Sequence, residues 1–191
     1  TNGSTVTGYR VIKHWMGDME EQDRTTNGIQ AAIEFRYGEL LLMYAEAKYE
    51  LEGTLSQADV DMTINALRER AGFDFVKYPT SKLVVGQEPA DPRLDKIYAE
   101  KLDYPVSPLL REIRRERRVE LCFENKRYDD IRRWGIGTET MSGPIYGAWN
   151  PNDEAFVLIE TRACVFPKYD SWPLPQQEET ANSNIKQPTG W

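Results

Sequence analysis

Histidine and cysteine are scarce in this 191-residue chain, which has one histidine, His14, and two cysteines, Cys122 and Cys164. Two separated cysteines are too few for a disulfide scaffold, and with a single histidine a zinc site has almost no raw material. No apolar run approaches the roughly 20 residues that span a bilayer as a helix. Positive charge is not in excess either. Lys and Arg total 24 against 31 Asp and Glu, a net charge of −7 that argues against a nucleic-acid partner. Neither a signal peptide nor an initiator methionine opens the chain, and the polar stretch from Thr1 reads as the start of a mature product, an excised domain or a proteolytic remnant. What remains is a chain with 40% hydrophobic residues, long enough to bury a real core as one domain.

The most informative stretch is PLLREIRRERRVELCFENKRYDDIRRW, residues 108–134. Ser107 is a good N-cap and Pro108 suits the first helical position, where its missing N–H costs nothing. The pattern predicts a helix to about Glu124, a break at Asn125, and a shorter helix closed by Gly135. Apolar side chains at Leu110, Ile113, Val119, Leu121 and Phe123 point in several directions, which implies neighbours on several faces. Some of the interleaved arginines must then be buried and paired with carboxylates, because an unpaired buried charge is too costly.

A second helix is predicted from residue 33 to about residue 52, stopped by Gly53. Its expected buried stripe is Ile33, Tyr37, Leu40, Tyr44, Ala47 and Leu51, widened by Leu41 and Ala45. Arg36, Glu39, Glu46 and Glu50 fall on another stripe. Ser56 caps a third helix running to about Ala71, with Val60, Ile64, Leu67 and Ala71 inward. Residues 73–106 are punctuated by Pro79, Gly86, Pro89, Pro92 and Pro105 and read as a long loop, with a short helix from Asp91 and Pro92 to about Lys101. After Trp134, glycines recur, and segments 156–159 and 163–166 are predicted to pair as a small β-hairpin around Thr161.

Three blocks carry a resemblance. Arg36-Tyr37-x-Glu39-Leu40-Leu41-Leu42-x-Tyr44-Ala45-Glu46-Ala47 is one, and Ala58, Asn65, Leu67, Arg68, Arg70, Ala71 and Gly72 continue it. Glu116-Arg117-x-x-Glu120-Leu121-x-x-Glu124-x-x-Arg127-x-x-Asp130-x-x-Arg133-Trp134 is the second. The ending, Trp172-Pro173-Leu174-Pro175 through Asn182 to Gln187-Pro188-Thr189-Gly190-Trp191, is the third. In this order they resemble the C-terminal part of SusD/RagB-family proteins, cell-surface nutrient-binding lipoproteins of Bacteroidetes. Asn125 stands where the family usually has Gly, and Asn is the next residue most tolerant of a left-handed turn.

The expected fold is mainly α: a tetratricopeptide-like helical hairpin plus the signature helix pair, with long irregular loops and one small β-hairpin. A lone hairpin of that kind normally needs about three stacked repeats, so either something upstream is missing or the later helices and loops substitute for it. The resemblance implies an upstream part of a longer protein. The chain is read as a single domain, 1–191, with a polar N-terminal segment over 1–28. The resemblance implies a non-catalytic role without a cofactor: binding a polysaccharide or oligosaccharide, or in some relatives a peptide, and delivering it to a SusC-like TonB-dependent outer-membrane transporter. It implies a membrane attachment only through a lipid anchor upstream. A helical-repeat interaction adaptor and a glycoside hydrolase are the rival readings.

Candidate site residues divide into two groups. Arg36, Glu39, Glu46, Glu116, Arg117, Glu120, Arg127, Asp130 and Arg133 are read as a structural ion network. Paired carboxylates could serve acid–base chemistry across a sugar bond, but arginine neighbours lower a carboxylate's pKa instead of preparing an acid. The Asn-Pro-Asn-Asp-Glu run at 150–154 lacks a calcium-loop frame and reads as a solvated loop. Ligand contacts fall instead to aromatics in irregular chain, chiefly Trp15, Tyr146 and Trp149, because sugar rings stack on flat apolar faces with polar handles. Tyr169 and Trp172 belong to the same class. The resemblance further implies that much of the family's ligand site lies upstream of the helix signatures.

Overall fold

Arg36 sets where the first helix begins. In the computed structural model, which describes Val11, Lys13 and residues 33–191, Arg36 is extended at φ −144° and ψ 162°, and helix α1 (Tyr37–Glu52) starts immediately after it. The start is later than the predicted residue 33 because the Arg36 side chain is tied to Glu120 and Glu124. The helix stops on Gly53, left-handed at φ 76°, whose N–H donates to the Tyr49 carbonyl.

The predicted stripe of α1 is on the wrong face. Leu41, Leu42 and Ala45 are buried together with Glu39 and Glu46, whereas Ile33, Tyr37, Leu40, Tyr44, Ala47 and Leu51 are exposed. Leu40, Leu41 and Leu42 are consecutive, so apolar periodicity alone leaves the rotation of the helix open. The charges decide it: Glu46 meets Arg117 and Glu39 meets Lys126.

The next helical run is α2 (Gln57–Val60) and α3 (Ala66–Arg70), joined by a π-helical segment (Asp61–Asn65). Ser56 starts it with a reciprocal cap: its hydroxyl accepts from the Asp59 N–H at 3.2 Å, and the Asp59 carboxylate accepts from the Ser56 N–H at 3.0 Å. The Ser56 hydroxyl and the Lys48 ammonium hold the Asp59 carboxyl well below the usual carboxylate range. Val60, Ile64 and Leu67 face inward as expected, while Ala71 is exposed.

The loop after α3 is held by side chains. Asn65 grips one residue at both ends, its Nδ2 donating to Leu83 O at 2.9 Å and its Oδ1 accepting from Leu83 N at 2.8 Å. Gln57 repeats the arrangement one step along, reaching Leu83 O at 3.1 Å and Val85 N at 2.9 Å. Leu83 is thereby delivered to the core formed with Leu41, Leu42, Ala45, Leu55, Val60, Ile64, Leu67, Leu109, Ile113 and Leu121.

Helix α4 (Pro92–Lys101) has no buried residue. Charge holds it: Arg111 pairs with Asp95, and Arg115 with Asp91 at 2.6 Å. Helix α5 (Pro108–Glu120) begins as predicted, with Ser107 accepting from the Leu110 N–H. It ends at Glu120, short of the expected residue 124, because the chain reverses through left-handed Phe123 (φ 64°) and Asn125 (φ 62°).

Those elements form one compact unit within Met16–Arg127; a second is built on Tyr128–Trp191. In the second, α6 (Arg127–Arg133) ends before left-handed Gly135, α7 (Gly137–Met141) follows, and Ile131, Trp134 and Ile136 are buried. The hairpin differs from the prediction. Strand β1 (Gly143–Asn150) pairs antiparallel with β2 (Ala155–Arg162), so the turn falls at 151–154 and not around Thr161. The Asn150 side chain stabilises that turn, accepting from the Asn152 N–H at 3.0 Å and donating to Asp153. A short helix, α8 (Gln176–Ala181), precedes the closing segment.

Candidate functional site

Paired charge dominates the first unit. Arg36 contacts Glu124 through Nε and Nη2, both at 2.7 Å, and Glu120 through Nη1 at 2.6 Å. The Glu124 hydrogen bonds come first among the causes that push its pKa above the ordinary arginine value. Glu46 lies 3.3 Å from Arg117, both nearly fully buried. Glu39 takes Lys126 at 3.1 Å, and Glu116 takes Arg68 at 2.8 Å. In the second unit Asp130 pairs with Arg133 at 2.8 Å, and Arg127, the last residue of the first unit, opens α6.

The structure thus brings Arg36 to Glu120 and Glu46 to Arg117, but gives Glu39 and Glu116 cationic partners outside the sequence-derived set. Arg111 and Glu112, each 1% exposed, also went unnamed. The signal for Arg68 was its place in the second-helix motif, three positions after Asn65; for Arg111 and Glu112 it was their position beside Ile113 on the inward face of α5. Burial pushes the Glu116 carboxyl up, with Arg68 opposing. These carboxylates sit in reach of cations on other segments, an arrangement suited to tying those segments together.

The ligand-contact aromatics fare differently. Trp15 lies outside the described residues. Tyr146 and Trp149 are both on β1 and more than half exposed, at 57% and 51%. Three positions apart on a regular strand, they would project from opposite faces. The register prevents this: Tyr146 pairs with Leu158 and Trp149 with Phe156, so β1 spends one extra residue between them. That bulge turns both aromatic rings to one side, with Leu158 and Phe156 beside them. Trp149 and Phe156 meet edge to face at 5.1 Å. At Gly147, inside the bulge, the Ile159 side chain packs close enough that an added Cβ would lie 2.8 Å from its terminal methyl, so a larger residue there would push Ile159 aside. The result is an exposed apolar platform with a phenol hydroxyl and an indole N–H at its edges.

Among known sequences, the pattern that defines the SusD family matches the chain over residues 1–191. The chain belongs to the SusD family. No curated protein and no solved structure matches it. SusD-family proteins are non-catalytic binding proteins, and membership implies glycan binding together with a SusC-like transporter. The SusD family is one of outer-membrane surface lipoproteins, and no helix among the described residues is long and apolar enough to cross a membrane. Nor do three or more His, Cys, Asp or Glu side chains gather as a metal-sized group among the described residues. Of the motif residues on α1 and α5, Glu39, Glu46, Glu116, Arg117 and Glu120 take part in ion pairs.

Proposed function

We propose that this chain holds a glycan at the cell surface without cleaving it, as part of a lipid-anchored SusD-family protein that passes the ligand to a SusC-like TonB-dependent transporter. The observation that carries this reading is the family match along all 191 residues. The residues proposed to meet ligand are Tyr146 and Trp149 on their shared platform, with Trp15 as the third aromatic. The platform supports the assignment because it leaves large ring area in water at a place fixed by strand pairing. The ion-paired carboxylates are proposed to be structural.

Calorimetric titration with a panel of soluble polysaccharides tests the platform. Tyr146→Ala and Trp149→Ala should each weaken the best ligand by about fivefold, roughly 1 kcal/mol for one lost stacking contact. Both residues are exposed, so folding should be intact. Wild-type affinity in the double variant would move the ligand contacts off β1.

A further inference from the structure

We infer that the second unit carries another sugar-binding subsite, a cleft between α6 and the segment 169–173 closed by Trp191, which takes one neutral hexose ring. This inference rests on the glycan-binding reading above but uses none of its platform residues.

The cleft is lined by Tyr128 and Arg132 of α6, by Tyr169 to Pro173, and by Trp191, and its volume is about 220 Å³. That is below the roughly 300 Å³ where clefts for drug-sized ligands begin, so it suits a single ring. Its aromatic walls are held in place by their own polar edges. The Tyr128 hydroxyl donates to Tyr169 O at 2.6 Å, and the Trp191 indole N–H donates to Lys168 O at 2.8 Å and Ser171 O at 3.0 Å. Tyr169 and Trp191 meet edge to face with centroids 6.0 Å apart. With the Tyr128 and Trp191 donors committed to backbone carbonyls, what their rings offer is mainly carbon surface, the kind on which a pyranose C–H face stacks.

The tail is tied down around the same point. Gln187 bonds both ends of Leu174, donating to its carbonyl at 2.8 Å and accepting from its N–H at 2.9 Å. Gly190 turns left-handed at φ 93° where a Cβ would sit 3.0 Å from Lys168. Yet Trp172, on the rim of this anchored segment, is 90% exposed. A rigidly flanked tryptophan left almost wholly in water is costly unless something covers it.

Charge selects what covers it. Among the described residues, the charged side chains lining the cleft are Arg132 and Asp170, which face each other at 3.5 Å, and Arg132 also donates to the Asp170 carbonyl. Lys168 lies over the Trp191 ring at 4.3 Å but is not part of the lining. The lining is therefore electrically balanced, which disfavours an anionic sugar. The Arg132 guanidinium, the Asp170 carboxylate and the Ser171 hydroxyl together supply donors and acceptors for the hydroxyls of a neutral one.

The chain's five tryptophans allow a direct test. Indole N–H signals of the ¹⁵N-labelled full chain are followed by NMR during titration with cellohexaose and mannohexaose as neutral probes, a galacturonic acid hexamer as the anionic probe, and decaproline. A neutral hexamer should shift Trp172 and Trp191. Trp172→Ala should weaken the Trp191 response by about tenfold and leave any Trp149 response unchanged, with Trp172→Phe recovering most of the loss. Shifts confined to Trp149 or Trp15 would overturn the subsite while sparing the glycan reading. Silence of every indole with both neutral probes would count against both. Cleft shifts with decaproline alone would assign the site to a prolyl peptide, and a stronger response to the anionic hexamer would overturn the claim of neutrality.

Discussion

Arg68→Ala should destabilise the helical unit by about 3–5 kcal/mol at neutral pH, the cost of breaking a buried ion pair from one side. Arg68 reaches from α3 to Glu116 at 2.8 Å and to Glu112 at 3.4 Å, and donates to the Ser81 carbonyl at 3.0 Å. Glu112 is 1% exposed and Glu116 8%, so truncation leaves both carboxylates inside with less compensating charge. Burial already raises the Glu116 carboxyl from its ordinary 4.5. An acid whose folded-state value is raised binds its proton more tightly when folded, so its contribution to stability falls as pH rises above 4.5. The defect should therefore be smaller at mildly acid pH than at neutral pH. Adding Glu116→Gln should restore part of it. Urea denaturation at two pH values measures this, and a wild-type midpoint for Arg68→Ala at neutral pH would contradict the buried-pair account.

Asn65→Ala should cost about 1–3 kcal/mol, because it removes the hydrogen bond of a buried amide and one of the two donors to a buried carbonyl, Gln57 keeping the other. Both belong to Leu83, which is fully buried. Asn65→Asp should not rescue the loss: it keeps an acceptor for the Leu83 N–H but sets a carboxylate against the Leu83 carbonyl. Hydrogen exchange at the Leu83 amide gives the local readout. Full protection in Asn65→Ala would mean that the Gln57 bonds alone suffice to hold the loop.

Local chemistry made part of this fold readable. Ser107 with Pro108, Asp91 with Pro92, and Ser56 announce helix starts, and Gly53 and Asn125 announce reversals, because each residue type satisfies a backbone requirement on the spot. Rotation about a helix axis is not local. With apolar residues on adjacent faces, α1 is oriented by Glu46 and Glu39 finding Arg117 and Lys126, partners far along the chain. Arg68 was visible as a motif residue but not as the partner of Glu116, since nothing in spacing ranks one distant cation above another.

The same distinction applies to the binding surface. Tyr146 and Trp149 stood out singly as aromatics in glycine-rich chain. Their common face depends on a bulge, hence on register with Phe156 and Leu158, and a strand read with period two places them apart. The cleft was less legible still. Tyr169 and Trp172 were noticed, but Tyr128 reads as one more residue of a charged helix, and Trp191 joins it only because Gly190 turns the tail back.

The most direct measurement of the central claim, binding without turnover, is one assay with two readouts. The chain is incubated with a panel of polysaccharides, scored for retardation in polysaccharide-containing native gels, and the same mixtures are assayed for new reducing ends. The expected result is retardation by at least one neutral polysaccharide with no reducing ends released. Release of reducing ends that disappears in Glu39→Gln or Glu46→Gln would contradict it, because those carboxylates would then be catalysts and not clamps.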